Sequence, residues 1–175
     1  LMAESIGEKG AQLELTNAFN DAVWNAVINS KSMEDLEIEL KAISKVFVKK
    51  FRKKKFIKKS EEAKVIQSVK MSILNPWMYE FIRYSPSEDI KNIKCNVLVI
   101  IGSKDIQVTS KENIEGYNKL LPKNRKLHTI KELKGLNHLF QKCSTCTVSE
   151  YGQLEETFSM DAMEEIRDFL QEIWK

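Results

Sequence analysis

Apolar residues recur at helical spacing through the first part of this chain and give way to short β-branched runs in the second. Leu15, Ala18, Phe19, Ala22, Val23, Ala26 and Val27 fall on one side of a helix and predict an element ending near Asn29 and Ser30. Ser32-Met33-Glu34-Asp35 has the form of a capping box with Asp in place of Glu, and Leu36, Leu40, Ile43 and Phe47 make the next stripe. Ser60 opens a third helix through Val65, Ile66, Val69 and Ile73. Pro76 cannot continue it, and Trp77 and Phe81 are expected on a short helix beyond. Trp24, Met71, Trp77 and Met78 are read as core residues of this region.

From Cys95 the period changes. Val97 to Ile101 is a continuous apolar run of the kind found in parallel strands covered on both faces, and Gly102 ends it. Ser110 is expected to cap a helix through Leu121, Pro122 stops that helix, and a second strand runs from Leu127 to Leu133. Strand, helix, strand in that order makes the two strands parallel. A polar segment of about twenty residues follows His138, long enough to line or cap a site. A last amphipathic helix carries Met163, Ile166, Phe169, Leu170 and Ile173. The fold class is therefore α/β, with a helical region over 1–75 and an α/β region over 76–175. Two strands are too small a sheet to stand with both faces apolar, so missing strands or a second copy of the chain are expected to cover it.

Charge adds little to this picture as a total. Lys plus Arg is 28 against 25 for Asp plus Glu, and a net charge of +3 argues for neither a nucleic-acid nor a membrane partner. Its distribution is less even: nine of the fifteen residues from Lys45 to Lys59 are basic. They read as the solvated face of a helix, with Glu34, Asp35, Glu37 and Glu39 offsetting much of the field. The three cysteines, Cys95, Cys143 and Cys146, fit reduced thiols better than a disulfide framework, which points to the cytoplasm. Cys143-Ser-Thr-Cys146 has the spacing of a redox or zinc knuckle, but nothing completes four ligands, so no metal is expected. A disulfide between the two would close a tight, strained loop.

The candidate chemistry lies after the two strands. Asp105 follows the first and His138 the second, and the carboxyl ends of parallel strands are where reactive side chains collect. A carboxylate that orients an imidazole, which in turn takes a proton from a hydroxyl, needs these residue types in this relation. Taken singly, Asp105 is an ordinary turn residue and His138 an ordinary surface histidine; together they are two thirds of a triad. His128, alternating along a strand, is read as structural.

Asn75-Pro-Trp-Met-Tyr79, the run from Ile93 to Gly102-Ser-Lys-Asp105, and Leu133-Lys-Gly-Leu-Asn-His138-Leu-Phe-Gln141 together resemble the C-terminal half of an α/β-hydrolase. The resemblance is to serine esterases and peptidases of the cinnamoyl-esterase-like and serine-aminopeptidase-like kinds, and is clearest over residues 70–175. It implies a partial α/β-hydrolase fold: a helical cap followed by the last parallel strands and helices of the core. It also implies that Asp105 and His138 are acid and base of a Ser-His-Asp triad, in the order this fold uses. No Gly-x-Ser-x-Gly elbow is present. Ala3-Glu-Ser5-Ile-Gly7 comes nearest but has no strand ahead of it, and Ser103 lies on the acid loop with no elbow around it. The expectation is therefore a fragment of a cofactor-independent hydrolase of carboxylic esters or short peptides, inactive alone and prone to self-associate. The competing expectation is a non-catalytic interaction or nucleic-acid-binding module that uses the basic face 45–59.

Overall fold

The computed structural model describes residues 2–123 and 128–175. The chain divides into two compact units. One is Gly7–Ser85; the other joins the short helix α1 (Met2–Ser5) to everything from Pro86 onward.

The first unit is helical: α2 (Gly10–Asn29), α3 (Met33–Lys53), α4 (Glu62–Ile73) and α5 (Pro76–Arg83). Phe19, Val23, Ala26 and Val27 of α2 meet Leu36 and Leu40 of α3, Ile73 and Tyr79 in one core. Phe47 and Phe51 extend it by packing against the Phe19 ring, the first tilted and the second edge-on, with centroids 5.3 and 6.1 Å away. Ser32 caps α3 by accepting a hydrogen bond from the Asp35 amide at 3.2 Å. The buried arc of α3 is Leu36, Leu40, Ser44 and Val48, turned slightly from the expected stripe, so that Ile43 and Phe47 sit at its margin. A 3-10 turn at Lys59–Glu61 takes the place expected for the start of the third helix.

The end of α2 shows how this unit is closed. The last carbonyls of a helix have no partner within it and carry the negative end of its dipole. Here one Arg83 nitrogen donates to the carbonyls of Val27, Ile28 and Ser30 at 3.0, 3.2 and 2.7 Å, and the Tyr79 hydroxyl donates to Ser30 at 3.3 Å. Both donors lie on α5, whose own start is fixed by Asn75 accepting from the Trp77 amide at 2.9 Å with Pro76 in the first turn. α5 thus belongs with the helices, and the division falls at Ser85 rather than at residue 75. Three residues expected in the core, Trp24, Met71 and Trp77, are exposed instead, because they lie on the faces of their helices turned from the cluster. Trp77 stacks on Phe81 at the surface, ring centroids 4.9 Å apart.

The second unit is α/β: α6 (Ser87–Lys91), β1 (Val97–Gly102), α7 (Ser110–Leu120), β2 (His128–Leu133) and α8 (Met160–Ile173). β1 and β2 are parallel, with Val97 opposite His128 and Gly102 opposite Leu133. Leu127, expected to begin the second strand, lies outside the described residues. Alternate residues of β1 serve two cores, as a strand's period of two requires. Val99 and Ile101 pack with Leu121, Ile114 and Tyr117 on one face, while Ile100 packs toward Leu136, Ala162 and Phe158 on the other. This chain's own helices therefore pack on both faces of the strand, where missing strands or a second copy were expected. α8 is less buried than its pattern predicts: Ala162 is enclosed, but Met163 and Ile166 are exposed. Ser110 proves to be the first residue of α7, not its cap; its hydroxyl donates to the Glu132 carboxylate.

Among the described residues no helix is long and apolar enough to cross a membrane. Cys143 and Cys146 are joined as a disulfide, and Cys95 is free and exposed. The reading of three reduced thiols, and the compartment drawn from it, loses that support. The tight loop is accommodated because Cys146 takes a left-handed backbone, φ 58°, and Glu150 gathers the amides around it.

Candidate active site

Two neighbouring parallel strands end side by side, and the loops leaving them are stitched together. The Ser103 amide donates to the Leu133 carbonyl and the Lys104 amide to the Leu136 carbonyl, both at 2.9 Å. In return the Gly135 amide donates to the Ser103 hydroxyl at 2.9 Å. This closeness depends on Gly102 having no side chain: a Cβ there would lie 2.3 Å from the Leu136 carbonyl oxygen and 2.6 Å from that of Asn137.

Asp105 and His138 face each other across this junction, with Oδ2 2.8 Å from Nδ1. An ionised carboxylate can only accept, so Nδ1 carries the proton in this pair, and in the neutral form of the ring the lone pair is on Nε2. The other carboxylate oxygen, Oδ1, accepts the amides of Gln107 and Val108, each at 2.8 Å. The Asp105 side chain is 6% exposed and the His138 side chain 38%. An enclosed, doubly held acid thus orients an imidazole that is open to solvent. Among the described residues no hydroxyl or thiol hydrogen-bonds to Nε2.

His138 is held in place by its neighbours. Asn137 is fully buried, and its Oδ1 accepts the amides of Leu139 and Gln141 at 2.9 Å each. Its Nδ2 donates to Gln141 Oε1 at 2.9 Å, and Gln141 Nε2 donates onward to the Glu156 carbonyl at 2.8 Å. Phe140, at φ 57°, turns the chain back sharply after the histidine. Gln107, beside the acid, donates to the Tyr151 hydroxyl at 3.0 Å and ties the acid loop to the same segment. Sequence reasoning found Asp105 and His138 but not Asn137, Gln141 or Gly102, whose roles are contacts between distant positions. The run Gly135-Leu-Asn-His-Leu-Phe-Gln141 held the signal without its meaning.

The segment after His138 is more ordered than a free loop. Glu150, on the 3-10 helix Val148–Gln153, accepts the amides of Ser144, Thr145 and Cys146 at 3.0, 3.0 and 2.6 Å and the Thr145 hydroxyl at 2.9 Å. Partial burial pushes its carboxyl upward, but these donors outweigh that and hold it below the usual carboxylate range. Cys143, Cys146 and Glu150 are spaced closely enough to share a metal ion. In the disulfide state the sulfurs bind each other, and the carboxylate is engaged by the backbone.

The other serines singled out from the sequence do not complete the pair. Ser103 is occupied with the Gly135 amide, and Ser5 ends the short helix α1 without the strand-to-helix elbow a nucleophile needs. Comparison with protein-family models, with curated proteins and with solved structures found no match for this chain.

Proposed function

We propose that Asp105 and His138 are the acid and base of a serine-hydrolase triad acting on carboxylic esters or short peptides, its serine supplied by a segment outside this chain. The 2.8 Å contact between them carries the reading. Support comes also from the Asp105 side chain, which is enclosed and takes two backbone amides, while the imidazole it orients is 38% exposed. On this reading β1 and β2 are the last parallel strands of an α/β-hydrolase core, and the helical unit is its cap.

The chemistry follows from the tautomer. With Nδ1–H held by Asp105, Nε2 takes the proton of an approaching serine hydroxyl as its oxygen attacks the ester carbonyl. The carboxylate stabilises the imidazolium formed. That imidazolium then returns the proton to the departing alcohol, leaving an acyl-enzyme, and a water activated by the same nitrogen releases the acid. No cofactor enters these steps. Donors for the oxyanion would lie beside the nucleophile and on a further loop of that missing segment.

The test is p-nitrophenyl ester turnover by the full-length product of the reading frame that contains this chain. His138→Ala and Asp105→Asn are each expected to lower kcat by about a thousandfold or more. Unchanged turnover in His138→Ala overturns the proposal.

A further inference from the structure

The basic run from Lys45 to Lys59 acquires a different meaning from its position. The acidic residues expected to neutralise it, Glu34, Asp35, Glu37 and Glu39, occupy the first half of α3, and the lysines occupy its end and the turn beyond. From Glu39, the last of these acids, to Lys53 the helix advances about 21 Å, more than twice the distance of about 8 Å over which salt screens exposed charges. The acids therefore do not cancel the field at the basic end.

All nine cations of the run are exposed, and among the described residues only Arg52 has a carboxylate partner, Glu62 at 3.1 Å. Lys54 ends the helix, and Lys55 takes a left-handed backbone at φ 63°, so the chain reverses and carries Lys58 and Lys59 to the same end of the unit. Beside them runs an open groove of about 320 Å³ between α2 and α3. Ala11, Leu15 and Ala18 form its floor and Lys50, Lys53 and Lys54 its rim, with Glu14 the one carboxylate along it.

We infer that this end of the helical unit docks on membranes rich in anionic phospholipid, the lysines meeting headgroup phosphates and the groove taking up acyl-chain surface. The cation count and its clustering match what anionic bilayers attract. Two features favour lipid over nucleic acid. Two of the three aromatic rings interleaved with the lysines, Phe47 and Phe51, are turned inward against Phe19, and Phe56 is only partly exposed, so the run offers no row of open rings on which successive bases could stack. The surface between the cations is apolar, which suits an acyl chain and not a sugar-phosphate backbone. The inference does not depend on the hydrolase reading.

Flotation of the 175-residue chain with vesicles tests it. Phosphatidylcholine vesicles containing phosphatidylserine should carry the protein up at low salt and release it at high salt, and vesicles of phosphatidylcholine alone should not bind it. Each lysine removed should weaken binding roughly fivefold, so Lys50→Gln, Lys53→Gln and Lys54→Gln together should lower affinity by about a hundredfold, with the far-ultraviolet circular-dichroism spectrum of the folded protein unchanged. Three results would overturn the inference: equal binding to neutral vesicles, unchanged binding of the triple variant, or tighter binding to a mixed-sequence oligonucleotide than to anionic vesicles at the same salt.

Discussion

Gly102 and Leu136 approach so closely that a single methyl group on the glycine would overlap the leucine's carbonyl oxygen, at 2.3 Å. The obstruction is backbone on a neighbouring loop, so no side-chain rotation relieves it. Gly102→Ala should push apart the loops that carry Asp105 and His138, with a loss of stability of about 1–3 kcal/mol. Urea unfolding measures the loss, and a shifted His138 imidazole resonance would report the separation.

Asn137→Ala should be nearly as damaging, for a different reason. The side chain satisfies the buried amide of Gln141, the partly buried amide of Leu139 and the buried side-chain oxygen of Gln141, and each group left without a partner in the interior costs about 1–3 kcal/mol. Asn137→Asp keeps the two acceptor contacts but sets a buried carboxylate oxygen against Gln141 Oε1, so its thermal melt should fall at neutral pH and recover in part in acid, where the protonated carboxyl can donate.

In the helical unit, Arg83→Met should uncover three carbonyls at the end of α2 while keeping an unbranched apolar stem. Hydrogen bonds to a charged donor contribute about 1.5–3 kcal/mol, and exchange of the α2 amides should quicken accordingly. Arg83→Lys should recover only part of this, because the guanidinium also lies over the Tyr79 ring, 4.7 Å from its centroid, a contact that the shorter, more strongly hydrated ammonium reproduces poorly. If α2 exchanges at the wild-type rate in Arg83→Met, the cap has been misassigned.

Glu150 gives the segment after His138 a dependence on pH. Its carboxyl is held below the ordinary range, so it contributes stability that is present at neutral pH and is lost as pH falls through its folded value. Amides of Ser144, Thr145 and Cys146, corrected for intrinsic exchange, should stay protected at neutral pH and lose protection in acid. Glu150→Gln should show weaker protection at neutral pH and no acid transition.

Local periodicity made the elements themselves legible. The stripe from Phe19 to Val27 is buried as expected, and the run from Val97 to Ile101 is a strand. What periodicity does not encode is whether anything lies against an apolar face. Met163 and Ile166 share the apolar side of α8, yet they are exposed. The turn of α3 that buries Ser44 in place of Phe47 depends likewise on where its neighbours press. Asp105 and His138 were legible because each follows its strand closely, and the strands' adjacency brings the two together. Asn137, Gln141 and Gly102 were not, because their work is done on partners that only the folded chain brings near. The acids and lysines of α3 are close in sequence but far apart along a helix, which is why their charges looked balanced and are not.

The hold of Arg83 on the end of α2 also sets a schedule for synthesis. The carbonyls it satisfies precede it by 53 to 56 residues, and a chain emerges from the ribosome with its beginning first. α2 must therefore wait, its end unfastened, until nearly the whole helical unit has been made, and the last helix to appear is the one that locks the first.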